Sequence, residues 1–333
     1  MTLSSIGDLA RKFTLRNQTT VLKAALDQRS NEATTGRTSD AGRVLRGDFT
    51  SLNAIDTTLA RLEGFRGITV EATLTASAMQ TALGTLSDIA GTLGSTLLSV
   101  ASPGDATAVD AVGRDALVRF RSAVATLNAR VGDRTLFAGT ETRRPALAPP
   151  DDILDALVSV TAGAATAADI ATAVSAWFSD PAGYAALAYK GGAPTDPQLI
   201  ATGESVSLDA TADDPAIRDT LKGLALAALL DRGVLSGNTD QRAQLARRSG
   251  ESLLQGASGR TVLAARIGTA EERTALAATR NAAETTSLQI ARAGIISVDA
   301  YEAATALTEA ETQLDTLYAI TARLARLNLA NYL

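Results

Sequence analysis

Near the end of the chain, large apolar residues return at heptad intervals: Leu307 with Leu314, Leu317 with Leu324, and Ile320 with Leu327. Positions seven apart fall on one stripe of an α-helix, so this spacing predicts a helix over about 297–330 with an apolar seam. At ~1.5 Å per residue its length is on the order of 50 Å. The opposite end of the chain predicts a helix of similar reach, from about Ser4 to Thr34. Leu3, Ile6, Leu9 and Phe13 form one apolar stripe there, and Leu15, Leu22 and Leu26 form another. Ser5 and Asp8 have the spacing of a capping box. Two helices of equal length at opposite ends of a chain can pair antiparallel and bring the termini together.

Between them the helical signal continues. After the loop "TTGRTSDAG" (34–42), Leu45, Leu52 and Leu59 recur with Ile55 and Leu62, then Met79, Leu83, Leu86, Ala90, Leu93 and Leu97 follow at spacings of three and four. The expectation is a long bundle helix over about 43–100, broken by "SPGD" (102–105). A third helix is expected over about 106–132, with Leu117, Phe120, Val124, Leu127 and Val131 on one face. Helix returns over about 239–293, where the mixed charges of Arg247, Arg248, Glu251, Arg266, Glu271, Glu272 and Arg273 suit a solvated bundle surface.

The segment 146–235 has a different texture. It holds Trp177, Phe178, Tyr184 and Tyr189, four of the chain's twelve aromatics, and most of its prolines. "QLIATGESVSLDA" (198–210) is the best hairpin candidate. Asp180-Pro181 and Asp214-Pro215 each have the form of an N-cap followed by proline at the first helical position. The predicted fold class is therefore mainly α. The N- and C-terminal segments form a long antiparallel coiled coil or helical bundle, and a small mixed α/β domain is inserted in the middle. The expected division is 1–34 with 297–333 as a terminal layer, 35–145 with 236–296 as a helical bundle domain, and 146–235 as a variable outer domain.

Composition removes several functions. The chain has no cysteine and no histidine. Disulfides, thiolate zinc sites, cysteine nucleophiles and Ser-His-Asp catalysis are excluded. A net charge of −5 gives no broad basic face for nucleic acid. No run of about 18 apolar residues is present, so no membrane span is expected. The longest approach, "GLALAALL" (223–230), is far shorter. Charges at Asp8, Arg11 and Lys12 disrupt any signal-peptide core, and no cleaved signal is expected.

No motif supplies catalysis. Asp151-Asp152 and Asp213-Asp214 read as helix capping and Glu271-Glu272 as surface solvation, because adjacent residues on a helix do not converge. There is no phosphate-binding P-loop and no dinucleotide fingerprint. "GASG" (256–259) reads as a helix break or a small-residue contact. Asn17-Gln18-Thr19 matches a glycosylation pattern but lies mid-helix. Neither an enzyme nor a cofactor is expected. The terminal helices leave a physical difficulty, since a lone two-helix hairpin rich in Ala, Thr and Arg is marginal. Copies packed side by side would satisfy its apolar faces.

Three stretches carry a resemblance to a known family. "NEATTGRTSDAGRVL" (31–45) resembles the segment that follows the first helix in bacterial flagellin and its relatives. "RVGDRTLFAGTETRRPAL" (130–147) resembles the "G-x-Y-x-F-x-G-T…P" turn of the flagellin-like hook-associated proteins at the hook–filament junction (FlgL type), with Thr135 where an aromatic is usual. "LARLNLANYL" (324–333) resembles their C-terminal ending. The resemblance covers about 1–145 and 235–333.

The resemblance implies a structural subunit of the bacterial flagellum, joining hook to filament. It would be exported unfolded and lie outside the cell. The implied partners are further copies of itself in a ring or helical layer, another hook-associated protein, flagellin and an export chaperone. Nucleic acid and membrane are not among them. The assembly residues implied are Leu3, Ile6, Leu9, Phe13, Leu314, Leu317, Leu324 and Leu327. Gly132, Phe137, Gly139 and Pro145 would form a domain-connecting turn, with Phe137 plugging the bundle end, the glycines permitting reversals and Pro145 preventing renewed helix. The alternatives are flagellin itself and, from another class, a coiled-coil signalling module.

Overall fold

The computed structural model describes residues 6–101 and 105–330, with side chains described from residue 10 onward except at 325 and 327–330. The expected cap at Ser5, the break at 102–104 and the last three residues of the C-terminal motif lie outside the described residues. The chain forms two compact units, one from residues 1–62 with 283–333 and the other from 63–282.

The first unit is organised by α1 (Ile6–Thr35) and α10 (Ala300–Ala330). They pack antiparallel, the arrangement expected of two helices of similar length at opposite ends of the chain. Ala303, Ala310 and Leu317 are buried at heptad spacing, with Leu314 beside them, while Leu15, Leu22 and Leu26 are half-buried on α1. The pairing is pinned where α1 ends and α10 begins. The Thr38 amide donates to the Ile296 carbonyl at 2.8 Å and the Val298 amide to the Gly36 carbonyl at 3.1 Å. Asp299 then caps α10, accepting from the Tyr301 and Glu302 amides at 2.8 and 3.1 Å.

A short helix, α2 (Ala41–Val44), follows, and then the chain breaks before α3 (Thr50–Ala101). The single helix expected over 43–100 is interrupted because Arg46 and Gly47 both take positive φ, 52° and 82°. Two adjacent left-handed residues cannot continue a right-handed helix. Leu52 and Leu62 of the α3 start are buried as the spacing implies, and Asp56 pairs with Arg292 of α9 (Ala257–Ile296) at 2.6 Å.

The second unit is a helical bundle. Leu83, Leu86, Leu93 and Leu97 of α3, Phe120 and Leu127 of α4 (Ala106–Leu127), and Leu263 and Ile267 of α9 all belong to one core. Helix α4 stops five residues earlier than the sequence suggests, because Asn128 turns its side chain onto Leu147 and the chain enters β1 (Arg130–Val131). Strand β1 pairs antiparallel with β2 (Arg134–Thr135). Two short helices come next, α5 (Pro150–Thr161) and α6 (Ala167–Ser179), the latter with a full Thr166–Asp169 capping box. A one-turn π-helix spans Tyr184–Ala188. The expected hairpin is present as β3 (Gln198–Ala201) and β4 (Glu204–Val206).

Helix α7 (Pro215–Ala228) is the centre of this unit. It contains most of "GLALAALL", and Leu221 and Gly223 through Ala228 are all buried. Its first half is amphipathic, with Asp219 exposed, but its second half is apolar all round and enclosed, with α4, α6 and α8 (Thr239–Gln255) packed against the helix. Residues 146–235 thus share their core with the helices before and after them. The fold class is mainly α with two small antiparallel hairpins.

Several local expectations change. Asp214 caps α7, accepting from the Ala216 amide at 3.0 Å, with Pro215 at the first position. Asp180-Pro181 does not start a helix: Asp180 ends α6 and accepts from the Ala182 amide at 2.9 Å, closing a turn. Asp151 and Asp152 occupy the first turn of α5 rather than its cap, where Pro149 stands. Asp151 instead meets Arg121 and Arg232, whose guanidinium groups hold its carboxyl below the usual carboxylate range.

Glu32 is the polar key of the first unit. Only 1% exposed, it accepts from the Ser39 amide at 3.0 Å, from Arg29 at 2.8 Å and from Gln28 at 3.3 Å. Burial pushes its pKa up, but the Ser39 amide, Gln28 and Arg29 outweigh burial and hold it below the ordinary glutamate value. A carboxyl with a lowered folded-state pKa stabilises fully above its unfolded pKa, and that contribution is lost as pH falls through the folded value. Glu32→Gln should therefore lower stability of the first unit at neutral pH, on the order of 1 kcal/mol. In strong acid the variant and the parent should converge. Thermal unfolding followed by circular dichroism across that range checks both statements.

Candidate assembly site

The turn singled out from the sequence, 130–147, is stitched to two distant segments. Phe137 is fully buried, and its carbonyl accepts from the Ala212 amide at 2.9 Å. The Ala138 carbonyl accepts from the Gly192 amide at 2.9 Å, and the Thr140 amide donates to the Ala193 carbonyl at 2.9 Å. Further along, the Lys190 amide donates to Ala146 at 2.9 Å and the Ala148 amide to Ala188 at 2.8 Å. Asn128 closes the base: its Oδ1 accepts from the Leu147 amide at 2.8 Å and its Nδ2 donates to the Leu147 carbonyl at 3.1 Å. These bonds satisfy backbone groups that burial of Ala146, Leu147 and Ala148 would otherwise strand.

The two glycines have different reasons. Gly132, at φ +60°, turns the β1–β2 hairpin, and a Cβ there would meet nothing within 4 Å. Gly139, at φ +57°, would place a Cβ 2.3 Å from the Ala193 carbonyl oxygen. Only at Gly139 does a neighbouring backbone occupy the side chain's place. Pro145 is exposed in an irregular stretch with no helix on its N-terminal side.

The residues singled out on the terminal helices separate into two sets. Leu314 and Leu317 are buried, 9% and 8% exposed, and Leu324 is half-buried. Phe13 faces outward and is 74% exposed. Ile6 and Leu9 lie on α1 and Leu327 on α10, but their side chains are outside the described residues, as is all of Leu3. The structure adds residues that the seam pattern missed. Val21, Tyr301 and Ile290 are 61%, 81% and 69% exposed in the same unit, and Tyr318 is also exposed; Ile320, which the heptad pattern put on the seam with Leu327, is exposed as well. A seam search selects what faces the partner helix. The signal for the outer face was residue type alone: large apolar groups at positions off the seam.

Among the described residues no group of His, Cys, Asp and Glu side chains could hold a metal ion, and no helix is long and apolar enough to cross a membrane. Carboxylates at Asp209 and Asp214 meet Arg266, and those at Asp110 and Glu204 meet Arg242 and Arg280. These ion pairs join elements of the fold.

Residues 258–333 match the bacterial flagellin C-terminal helical region. The fold is similar to that of Bacillus cereus FlgL, with a TM-score of 0.52 and 11% identity, over 72% of this chain and 100% of that one. It is also similar to a protein of Vibrio parahaemolyticus described as a flagellar hook-associated protein, with a TM-score of 0.50 and 12% identity, over 75% of this chain and 99% of that one. No curated protein sequence matches the chain.

The glycine contrast gives a paired prediction. Gly132→Ala should cost about 1–2 kcal/mol, the price of a left-handed alanine alone. Gly139→Ala adds a backbone clash and should cost more than about 3 kcal/mol or leave the protein unfolded. Urea unfolding of the two variants ranks them, and equal midpoints would contradict the structure.

Proposed function

We propose that this flagellin-like structural protein of the bacterial flagellum, which is not an enzyme, joins hook to filament, and that copies assemble through the paired helices α1 and α10. One observation carries the assembly reading. The first unit uses Leu314, Leu317 and two alanines of α10 to hold its own helices together, yet leaves Phe13, Val21 and Tyr301 facing outward. Large apolar groups on a thin helical pair gain by covering one another between copies. Contacts between unlike faces build rings or open helical layers, the geometry a junction between two helical structures needs. Flagellin, another hook-associated protein and an export chaperone are the partners of this reading, with export of the unfolded chain preceding assembly.

The resemblance of residues 130–147 and 324–333 to junction proteins favours this role over that of the filament subunit. Deleting the gene and imaging the cells tests the choice. Bare hooks, with flagellin monomers shed into the medium, are expected. Absent filaments without other flagellin in the medium would make this chain the filament subunit, and normal filaments would overturn both roles.

The two sets of apolar residues predict opposite behaviour. Phe13→Asp and Tyr301→Asp should change stability by no more than about 0.5 kcal/mol, because these side chains are exposed, and yet prevent incorporation into the flagellum. Leu317→Asp buries a carboxylate and should cost about 3 kcal/mol or more, separating the terminal pair itself. Circular dichroism and recovery of each variant in purified flagella distinguish the classes.

A further inference from the structure

A cavity of about 380 Å³ opens between α3, the β1–β2 hairpin and the segment 195–210, within the second unit. Leu74, Met79, Val131 and Leu208 make its apolar wall. The wall carries one unmet polar demand: the Gln198 Oε1 atom is buried without a hydrogen-bond partner. Leu74 is 56% exposed at the rim. Asp133 also lines the cavity, and its carboxylate makes no ion pair among the described residues. Neighbouring Glu71 is already paired with Arg134. An occupant of this cavity therefore brings apolar side chains, a hydrogen-bond donor for Gln198 and a positive charge for Asp133. A peptide segment with a lysine meets all three demands, and a hydrocarbon meets only the first.

The same chain carries a segment that meets the first and third of these demands. In the π-turn, Ala185, Ala186 and Leu187 are consecutive exposed apolar residues, with Leu187 52% exposed. The turn is held from beneath by Tyr184, fully buried, whose hydroxyl donates to the Ala212 carbonyl at 2.6 Å and whose ring stacks on Phe178. It is thus a rigid projection. Lys190 follows, exposed, its ammonium donating only to the Ala186 carbonyl at 3.3 Å and meeting no carboxylate among the described residues.

We propose that the cavity is a socket for the Ala185–Lys190 turn of a second copy of this chain, with Leu187 entering the apolar wall and Lys190 meeting Asp133. This rests on the reading of the chain as an assembling subunit and adds a second contact to the one made by the terminal helices. A projection and a socket built from different residues of one chain make a contact between unlike surfaces, which joins copies head to tail and repeats along an array. The charge pair fixes which end of the turn lies over Asp133.

The chain's lack of cysteine makes the test direct. Full-length Leu187→Cys and Leu74→Cys are purified separately, checked for helical content, mixed under assembling conditions and treated with a short bis-maleimide. A crosslinked heterodimer is expected, about tenfold or more above that formed when Val262→Cys replaces Leu74→Cys as an exposed control. Asp133→Lys placed in the Leu74→Cys copy should lower the yield about tenfold, and Lys190→Asp in the other copy should restore it. Equal yields with the Val262→Cys control, or no rescue by the reversed charges, overturn the socket. Arrays that form normally without the Leu187–Leu74 crosslink remove the socket and leave assembly through the terminal helices standing. Chains that never self-associate remove both.

Discussion

A helical stretch that is apolar all round has to be enclosed, and the second half of α7 is such a stretch. With Leu221 and Gly223 through Ala228 all buried, it can exist in water only if α4, α6 and α8 surround it. That constraint explains why 146–235 cannot stand apart from its neighbours: α7 lies in this stretch, and its packing partners come from both sides of it in sequence. It also explains the tight fastening of the turn at 130–148. The chain leaves α4, fastens by backbone bonds to 188–193 and 212, and delivers α6 to the side of α7 with α5 packed on α6. Phe137 and Tyr184 are both fully buried at the fastening, the Tyr184 hydroxyl satisfying the Ala212 carbonyl as the Phe137 carbonyl satisfies the Ala212 amide.

What could be read from sequence follows the range of the interaction responsible. The heptad seams were legible because helix period is a local property: Leu314 and Leu317 are buried where their spacing put them. The β3–β4 hairpin and the Asp214 cap were legible for the same reason. Asp180-Pro181 has the local form of a cap, but it lies between Trp177 and Phe178 on one side and Tyr184 on the other, which meet in one aromatic cluster across a turn. Asp151 reads as a cap until Arg121 and Arg232 arrive from elsewhere in the chain to claim it. The break at Arg46-Gly47 was hidden because Leu45, Leu52 and Leu59 keep their register across it.

The proposed assembly residues show the same division. Periodicity selects the side of a helix that something covers and does not say what covers it. Leu314 and Leu317 on α10 were grouped with Phe13 on α1 as assembly contacts, yet the first two are buried within the terminal pair of the same chain and Phe13 is not. Exposure separates an intramolecular seam from a surface available to another copy. Tyr301 and Val21 lie outside the seam, and only their exposure marks them as part of the outer face.

The two units differ in how much they bury. Beyond Leu52 and Leu62, the described buried apolar residues of the first unit are Ala303, Ala310, Leu314 and Leu317, and all the rest of the core belongs to the second. Backbone ordering costs about 1–2 kcal/mol per residue wherever it occurs. Long helices joined by such a narrow seam therefore sit at the low end of local stability, while the enclosed bundle around α7 sits at the high end. Burial between copies is the term that can raise the lower value. On this argument the thin terminal pair is suited to acquire its stability in an array, and the second unit is rigid enough to hold a socket and a projection in fixed positions as copies arrive.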